Sequence, residues 1–138
     1  MIRSHNDWDP LEEIIVGTAD YATLPTMNKS VQAFSYAEYS LEELKSLEGP
    51  HEQRIRDEAN DDLNKLSSTL TELGVKVHRP TSVNHEKKFS SPNWETTGWY
   101  TFCPRDLLLP LNEIVLEAAS PMRARQYETR AYYKYLNQ

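Results

Sequence analysis

An α/β fold is predicted by three consecutive features of this chain: an apolar run at Leu11 to Gly17, an amphipathic stripe at His51 to Leu73, and a short alternating segment at Val75 to Pro80. Ile14, Ile15 and Val16 in a row suit a strand covered on both faces, and Gly17 ends it. Ile55, Ala59, Leu63, Leu66, Leu70 and Leu73 recur at steps of three and four, which places them on one helical stripe; Gly74 stops the helix. Val75-Lys76-Val77-His78 alternates as a strand that proline closes. Strand, helix and strand in that order make a β-α-β crossover, so the two strands are expected to lie parallel through a right-handed connection.

The remaining elements follow along the chain. Asn6-Asp7-Trp8-Asp9-Pro10 reads as a structural turn that sets the entry to the first strand. Residues 18–50 show little period and many turn formers and aromatics, a long connection with one short helix near Ser40 to Leu47. Ser40 and Glu43 have the spacing of a capping box there. Such a long connection packs over a site or forms a loosely ordered surface arm. Thr81 to Ser91, with His85, Lys87 and Lys88, is polar and reads as a surface loop. Leu107 to Leu111 and Glu113 to Ala118 are expected as adjacent strands, with Pro110 and Asn112 marking an edge or tight turn. From residue 123 to residue 138, Tyr127, Ala131 and Tyr135 share one face of an amphipathic terminal helix.

Composition excludes several function classes. At 138 residues the chain fits a single domain, large enough to bury roughly two-thirds of the surface its unfolded form exposes. A net charge of -6, a pI near 5.2 and fifteen scattered basic residues argue against a surface that tracks nucleic-acid phosphates. One cysteine forms no internal disulfide and belongs to no metal-binding Cys pair, and the N-terminus lacks a signal core; a cytoplasmic location is expected. No run approaches the roughly 20 apolar residues of a membrane span. Asp61 and Asp62 are adjacent on a helix and point apart, so no metal is expected there. The four histidines lie at unrelated spacings and read as surface residues. No cofactor is implied.

The segment Phe102-Cys103-Pro104-Arg105-Asp106-Leu107-Leu108-Leu109 carries the candidate site, because it delivers a carboxylate to the border of an apolar run. Desolvating a lone carboxylate is costly unless a cation answers it. Asp106 therefore either pairs with a protein cation such as Arg105 or receives a cationic ligand.

Ser4-His5-Asn6-Asp7-Trp8-Asp9-Pro10-Leu11-Glu12-Glu13 resembles the start of the amidinotransferases that move an amidino group from arginine to an amine, the family of the glycine and inosamine-phosphate enzymes. The likeness continues through Glu95-Thr96-Thr97-Gly98-Trp99-Tyr100, Cys103-Pro104-Arg105-Asp106, Asn112 to Ala118 and Arg123 to Tyr132. It implies slightly more than one module of a pentein-type α/β propeller, here β-α-β plus β-β and a C-terminal helix. It also implies apolar edges that favour self-association or that pack on missing sequence. By motif position, Asp106 matches a carboxylate that contacts the guanidinium of arginine or another guanidino compound, and Arg105 a support of the loop. The family's nucleophilic cysteine, its histidine and their acidic partner lie in later modules. Cys103 is therefore not assigned as nucleophile, no catalytic residue is assigned within the chain, and the chain alone is expected to be inactive. A reduced homologue that binds guanidinium or assembles without catalysis is the alternative.

Overall fold

The computed structural model describes residues 4–6 and 8–136. Asp7 of the opening turn and the last two residues of the expected terminal helix lie outside that set. In chain order the elements are β1 (Glu13–Ile15), β2 (Thr23–Leu24), α1 (Lys29–Ser35), α2 (Leu41–Lys45), β3 (Gly49–Pro50), α3 (Gln53–Glu72), β4 (Lys76–His78), β5 (Lys88–Ser91), β6 (Trp94–Thr97), β7 (Leu108–Leu111), β8 (Ile114–Glu117) and α4 (Tyr133–Leu136). The strands form four two-stranded sheets. β1 and β4 pair in parallel with Ile14 opposite Val77, so the crossover expected from the first strand through the long helix is present.

The opening turn is organised by Asn6, whose Oδ1 accepts from the backbone N–H groups of Trp8 and Asp9 and whose Nδ2 donates to Asp9 Oδ2. Its side chain does what a backbone turn would do. Beyond β1, Gly17 lies against the 101–102 backbone, and a Cβ there would come within 2.4 Å of Phe102 Cα. Absence of a side chain at Gly17 thus permits Thr18 and Thr101 to bridge, with Thr18 N–H donating to Thr101 O at 3.2 Å. That bridge fixes the motif segment to the end of the first strand.

Residues 18–50 are more ordered than a long connection with one helix. Asn28 caps α1, its Oδ1 accepting from Ser30 N–H, and α2 begins at the expected capping box, Ser40 and Glu43 bonding reciprocally. Val31 of α1 and Leu44 of α2 enter a core with Met27, Trp99 and Ala124. A second core joins Leu107, Leu108, Ala131 and Tyr132, with Ile15 and Val115 packed against it.

Three expectations need correction. The α3 stripe does not face the core as a unit: Ile55, Leu66 and Leu73 are exposed, while Ala59, Leu63 and Leu70 are half-buried. The inner face is instead shared with polar side chains, Asn60 Oδ1 accepting from Thr18 and Ala19 and Ser67 from Arg79. Residues 88–91, read as loop, form a hairpin with β6 in which Phe89 packs edge-on to Trp94 and Tyr127; the two central residues Pro92 and Asn93 form its turn. The expected terminal helix is broken into tight 3-10 turns at Arg123–Arg125 and Glu128–Tyr132, followed by the single turn of α4. Arg125 closes the first of these turns and Glu128 opens the second, and the two side chains pair across the junction.

The strands expected on either side of Asn112 are β7 and β8, with Pro110 opposite Val115 and Asn112 at a left-handed φ of 53°. Pro110 is tolerated because the sheet has only two strands, so a residue without an N–H can face outward. Backbone bonds between Ser4 and Asn112 in both directions tie the N-terminal segment to the hairpin turn.

Candidate functional site

Asp106 ends a short 3-10 turn, Pro104–Asp106, in which Asp106 N–H donates to Cys103 O and Leu107 N–H to Pro104 O. Leu107 and Leu108 then descend into the second core. The turn therefore holds the carboxylate at the surface while the next two residues anchor it. Asp106 keeps 36% of its side-chain surface exposed.

The cation that answers Asp106 is not chiefly its neighbour. Arg105 is 93% exposed, with its Nε 3.8 Å from Asp106 Oδ1, a long contact for a charge pair. Arg125 is 6% exposed, and its Nη1 donates to Asp106 Oδ2 at 2.9 Å. The same guanidinium donates through Nε to Glu128 Oε2 at 2.8 Å. It also lies over the Tyr100 ring, 4.7 Å from its centroid, and Tyr100 in turn stacks on Phe102 at 4.0 Å. Asp106 Oδ2 is thus committed to Arg125, while among the described residues Oδ1 meets the loose Arg105 contact.

Glu128 is the most enclosed member, with 1% of its side chain exposed. Its Oε1 accepts from Tyr100 N–H at 3.3 Å. Burial pushes its carboxyl up to about 7, against the pull of Arg125. Burial works most strongly against the charge of Arg125, but Glu128 and Asp106 together with Tyr100 outweigh it and hold the guanidinium above its ordinary value. The two partners shift in the same direction because the carboxylate is the more deeply desolvated. Arg125 Nη2 is buried without a hydrogen-bond partner among the described residues.

Cys103 is half-buried, and burial followed by the charge of Asp106 push its thiol up. A thiol so placed is less nucleophilic at neutral pH, not more. Among the described residues no cluster of three or more His, Cys, Asp or Glu side chains is arranged to hold a metal.

His85 departs from the surface reading. It is 3% exposed, and burial lowers its pKa to about 4. Its Nε2 is buried without a partner, and Gly98 packs directly on the ring: a Cβ at that position would fall 2.4 Å from Nδ1. His85 is a neutral packing residue beneath the 98–106 segment, held there by the bond from Gly98 N–H to His85 O at 2.9 Å. Backbone carbonyls at Gly98 and Trp99 are satisfied by Thr23, and that of Thr101 by Tyr132 Oη at 2.9 Å. The segment is braced from both cores.

Arg125 and Glu128 were not singled out by the sequence pattern. Their signal was available as two opposite charges three apart in a stretch otherwise read through Tyr127, Ala131 and Tyr135.

A mixed α/β chain that presents a surface carboxylate from a braced turn has a close counterpart among known proteins. Inosamine-phosphate amidinotransferase 1 of Streptomyces griseus is 42% identical over 134 residues and that of Streptomyces glaucescens 41% over 132, in each case 96% of this chain and 38% of the relative. Glycine amidinotransferase of Xenopus tropicalis mitochondria is 35% identical over 135 residues, 95% of this chain and 31% of the relative. The solved structure of an inosamine-phosphate amidinotransferase from Streptomyces griseus matches with a TM-score of 0.93 at 40% identity, covering 99% of this chain and 39% of that one. An amidinotransferase from Microseira wollei in the saxitoxin biosynthetic pathway matches with a TM-score of 0.82 at 33% identity, over the same shares. No protein-family profile matches the chain. The chain is an amidinotransferase homologue of mixed α/β fold. More particularly, it corresponds to the N-terminal portion of the inosamine-phosphate and glycine amidinotransferases. It spans about 38% of the length of the Streptomyces relatives.

Proposed function

We propose that this chain is the guanidinium-orienting N-terminal part of an enzyme that transfers an amidino group from arginine to an amine, and that it is inactive alone. The observation that carries the reading is the half-committed carboxylate of Asp106, with Oδ2 fixed by Arg125, Oδ1 only loosely met by Arg105 at 3.8 Å, and the side chain 36% exposed. A guanidinium is planar, permanently charged and rich in N–H donors, so a fixed carboxylate oxygen orients it and offsets its charge. Asp106 acts by positioning and electrostatics; it neither attacks nor moves a proton.

In the complete reaction, a thiolate supplied by sequence outside this chain forms a sulfur–carbon bond to the guanidinium carbon. The bond from that carbon to the side-chain nitrogen breaks, and ornithine leaves as its nitrogen takes a proton. An acceptor amine then forms the new carbon–nitrogen bond, expels the thiolate and loses a proton. The raised thiol of Cys103 supports leaving the nucleophile to another residue. Arg105, exposed and loosely placed, is at most a weak support of the turn.

The reading extends to architecture: residues 1–138 form a single domain of slightly more than one propeller module, whose neighbours cover its apolar edges. Supporting it, Leu109, Leu111, Ile114 and Leu116 form two cross-strand pairs on one face of the β7–β8 hairpin, and all four are exposed. The location proposed is the cytoplasm; among the described residues no helix is long and apolar enough to cross a membrane.

The test is ornithine release from arginine, with an amine acceptor present, by the complete polypeptide that carries this sequence. Asp106→Asn is expected to lower kcat/KM about a hundredfold, the loss of one charge-assisted orienting contact to the guanidinium. Unchanged turnover in a folded Asp106→Asn protein rejects the assignment.

A further inference from the structure

Asp106 is anchored by a residue of the same chemistry as the ligand proposed for it. Left unbalanced, the guanidinium of Arg125 would repel a second guanidinium and cancel the charge of Asp106. Glu128 answers this on the far side: it bonds Arg125 Nε, whereas Asp106 bonds Nη1. With Glu128 ionised, Asp106, Arg125 and Glu128 together carry the charge of one carboxylate, and of the three only Asp106 is exposed, with Arg105 in loose contact at 3.8 Å. Building on the proposed guanidinium site, we infer that Arg125 and Glu128 are positioning residues for Asp106, Arg125 clamping Oδ2 and Glu128 cancelling the charge of that clamp so that Oδ1 meets a guanidinium ligand.

Three observations converge on this arrangement. Arg125 is buried and bonded to both acids, so its fork is fixed in orientation. Tyr100 closes one face of the fork through its ring, and its own N–H fixes Glu128 Oε1. Arg125 ends one 3-10 turn and Glu128 begins the next, and the junction between them holds the two side chains 2.8 Å apart.

Ligand affinity at Asp106 then depends on the ionisation of Glu128. The charged and titratable groups facing Glu128 are Arg125 on its own segment, Asp106 and Cys103 on the turn, Tyr100 and Tyr132. Of these, Tyr100, Cys103 and Tyr132 have their ionisations pushed up by burial and stay neutral near pH 7. Because Glu128 ionises around neutrality, binding should strengthen as pH rises from 5.5 to 8.5.

The experiment is titration of the complete polypeptide that carries this chain with methylguanidinium, followed by NMR of backbone amides and of the Arg125 guanidinium. Wild-type protein should show separate, slowly exchanging Nη signals for Arg125, and an affinity that rises severalfold across that pH range. Glu128→Gln is expected to bind about tenfold more weakly at pH 8, the effect of one unbalanced charge several ångströms away in a partly screened site, and to lose the pH dependence. Arg125→Lys keeps the charge without the fork and should also bind more weakly.

The outcomes separate the two layers. If Asp106→Asn abolishes binding while Glu128→Gln leaves both affinity and pH profile as in wild type, the guanidinium site stands and this inference falls. If Asp106→Asn binds like wild type, or the wild-type protein does not bind, the site itself falls and the inference with it. A freely rotating Arg125 in the wild-type protein overturns the clamp whatever the ligand does.

Discussion

Replacing Arg125 by methionine removes the cation from a cluster in which one carboxylate has almost no solvent to fall back on. Glu128 keeps 1% of its side chain exposed and would retain only the 3.3 Å bond from Tyr100 N–H. Breaking a buried pair by removing one partner costs about 3–5 kcal/mol, more than the pair contributes relative to apolar residues of similar size. For a chain of this length an unfolding entropy of about 2.1 cal/mol/K per residue converts that to a Tm lowered by roughly 10–17 °C. The loss should depend on pH, because Glu128 can shed its charge. Its folded-state pKa lies above the unfolded value, so its contribution is present below about 4.5 and is lost as pH rises through about 7. Without Arg125 the carboxyl is pushed further toward the neutral form, so the destabilisation is smaller at pH 5.5 than at pH 8. Urea unfolding of wild type and Arg125→Met at both pH values measures this. A change below about 1 kcal/mol at pH 8, or a larger change at pH 5.5 than at pH 8, would refute the view that Arg125 holds a desolvated acid.

Further predictions concern the support beneath the site. His85 has its pKa depressed in the fold to about 4 from 6.5, so the stability it contributes is present above 6.5 and is lost as pH falls toward 4; about 3 kcal/mol should disappear over that window, and His85→Phe should flatten the acid limb of a stability–pH curve. Gly98→Ala drives a Cβ to 2.4 Å from His85 Nδ1, an overpacking expected to cost about 1–3 kcal/mol; pairing it with His85→Ala in a double-mutant cycle should recover much of the loss, and strict additivity would count against the contact. Gly17→Ala meets backbone rather than side chain at Phe102, so it should cost more than Gly98→Ala in the same chemical denaturation. Ser40→Ala removes the Oγ that accepts from Glu43 N–H but keeps the Ser40 N–H bond to Glu43 Oε2, and it is expected to cost about 1 kcal/mol, read as a lower urea midpoint at unchanged slope.

How far the sequence could be read depended on whether a signal was local. The β1–α3–β4 crossover was legible because runs of apolar residues and a helical period report burial within a few residues. The α2 cap was legible because Ser40 and Glu43 carry their own bonding partners. The β5–β6 hairpin was hidden in a polar stretch: its order comes from Phe89 packing on Trp94 and Tyr127, one of them 38 residues away in sequence terms. The terminal helix was overread for the complementary reason. Tyr127, Ala131 and Tyr135 do satisfy a helical stripe, yet the segment breaks into two 3-10 turns whose junction carries the buried pair of Arg125 and Glu128.

The site shows the same division. Asp106 stood out because an acid at an apolar border demands a cation. Its partner did not, since Arg125 lies 19 positions downstream and the adjacent Arg105 offered a simpler answer that the geometry does not bear out as a close pair. His85 was read from the polarity of its neighbours as a surface residue; the packing of Gly98 against it, which buries the ring, is a tertiary event with no local signature.

The most direct test of the account is mass spectrometry of the native polypeptide that contains this sequence, before and after incubation with arginine in the absence of an acceptor amine. The account predicts a polypeptide more than twice the length of this chain, bearing an amidino adduct on a cysteine beyond Gln138 and none on Cys103. A native polypeptide that ends at Gln138, or an adduct carried by Cys103, would contradict it.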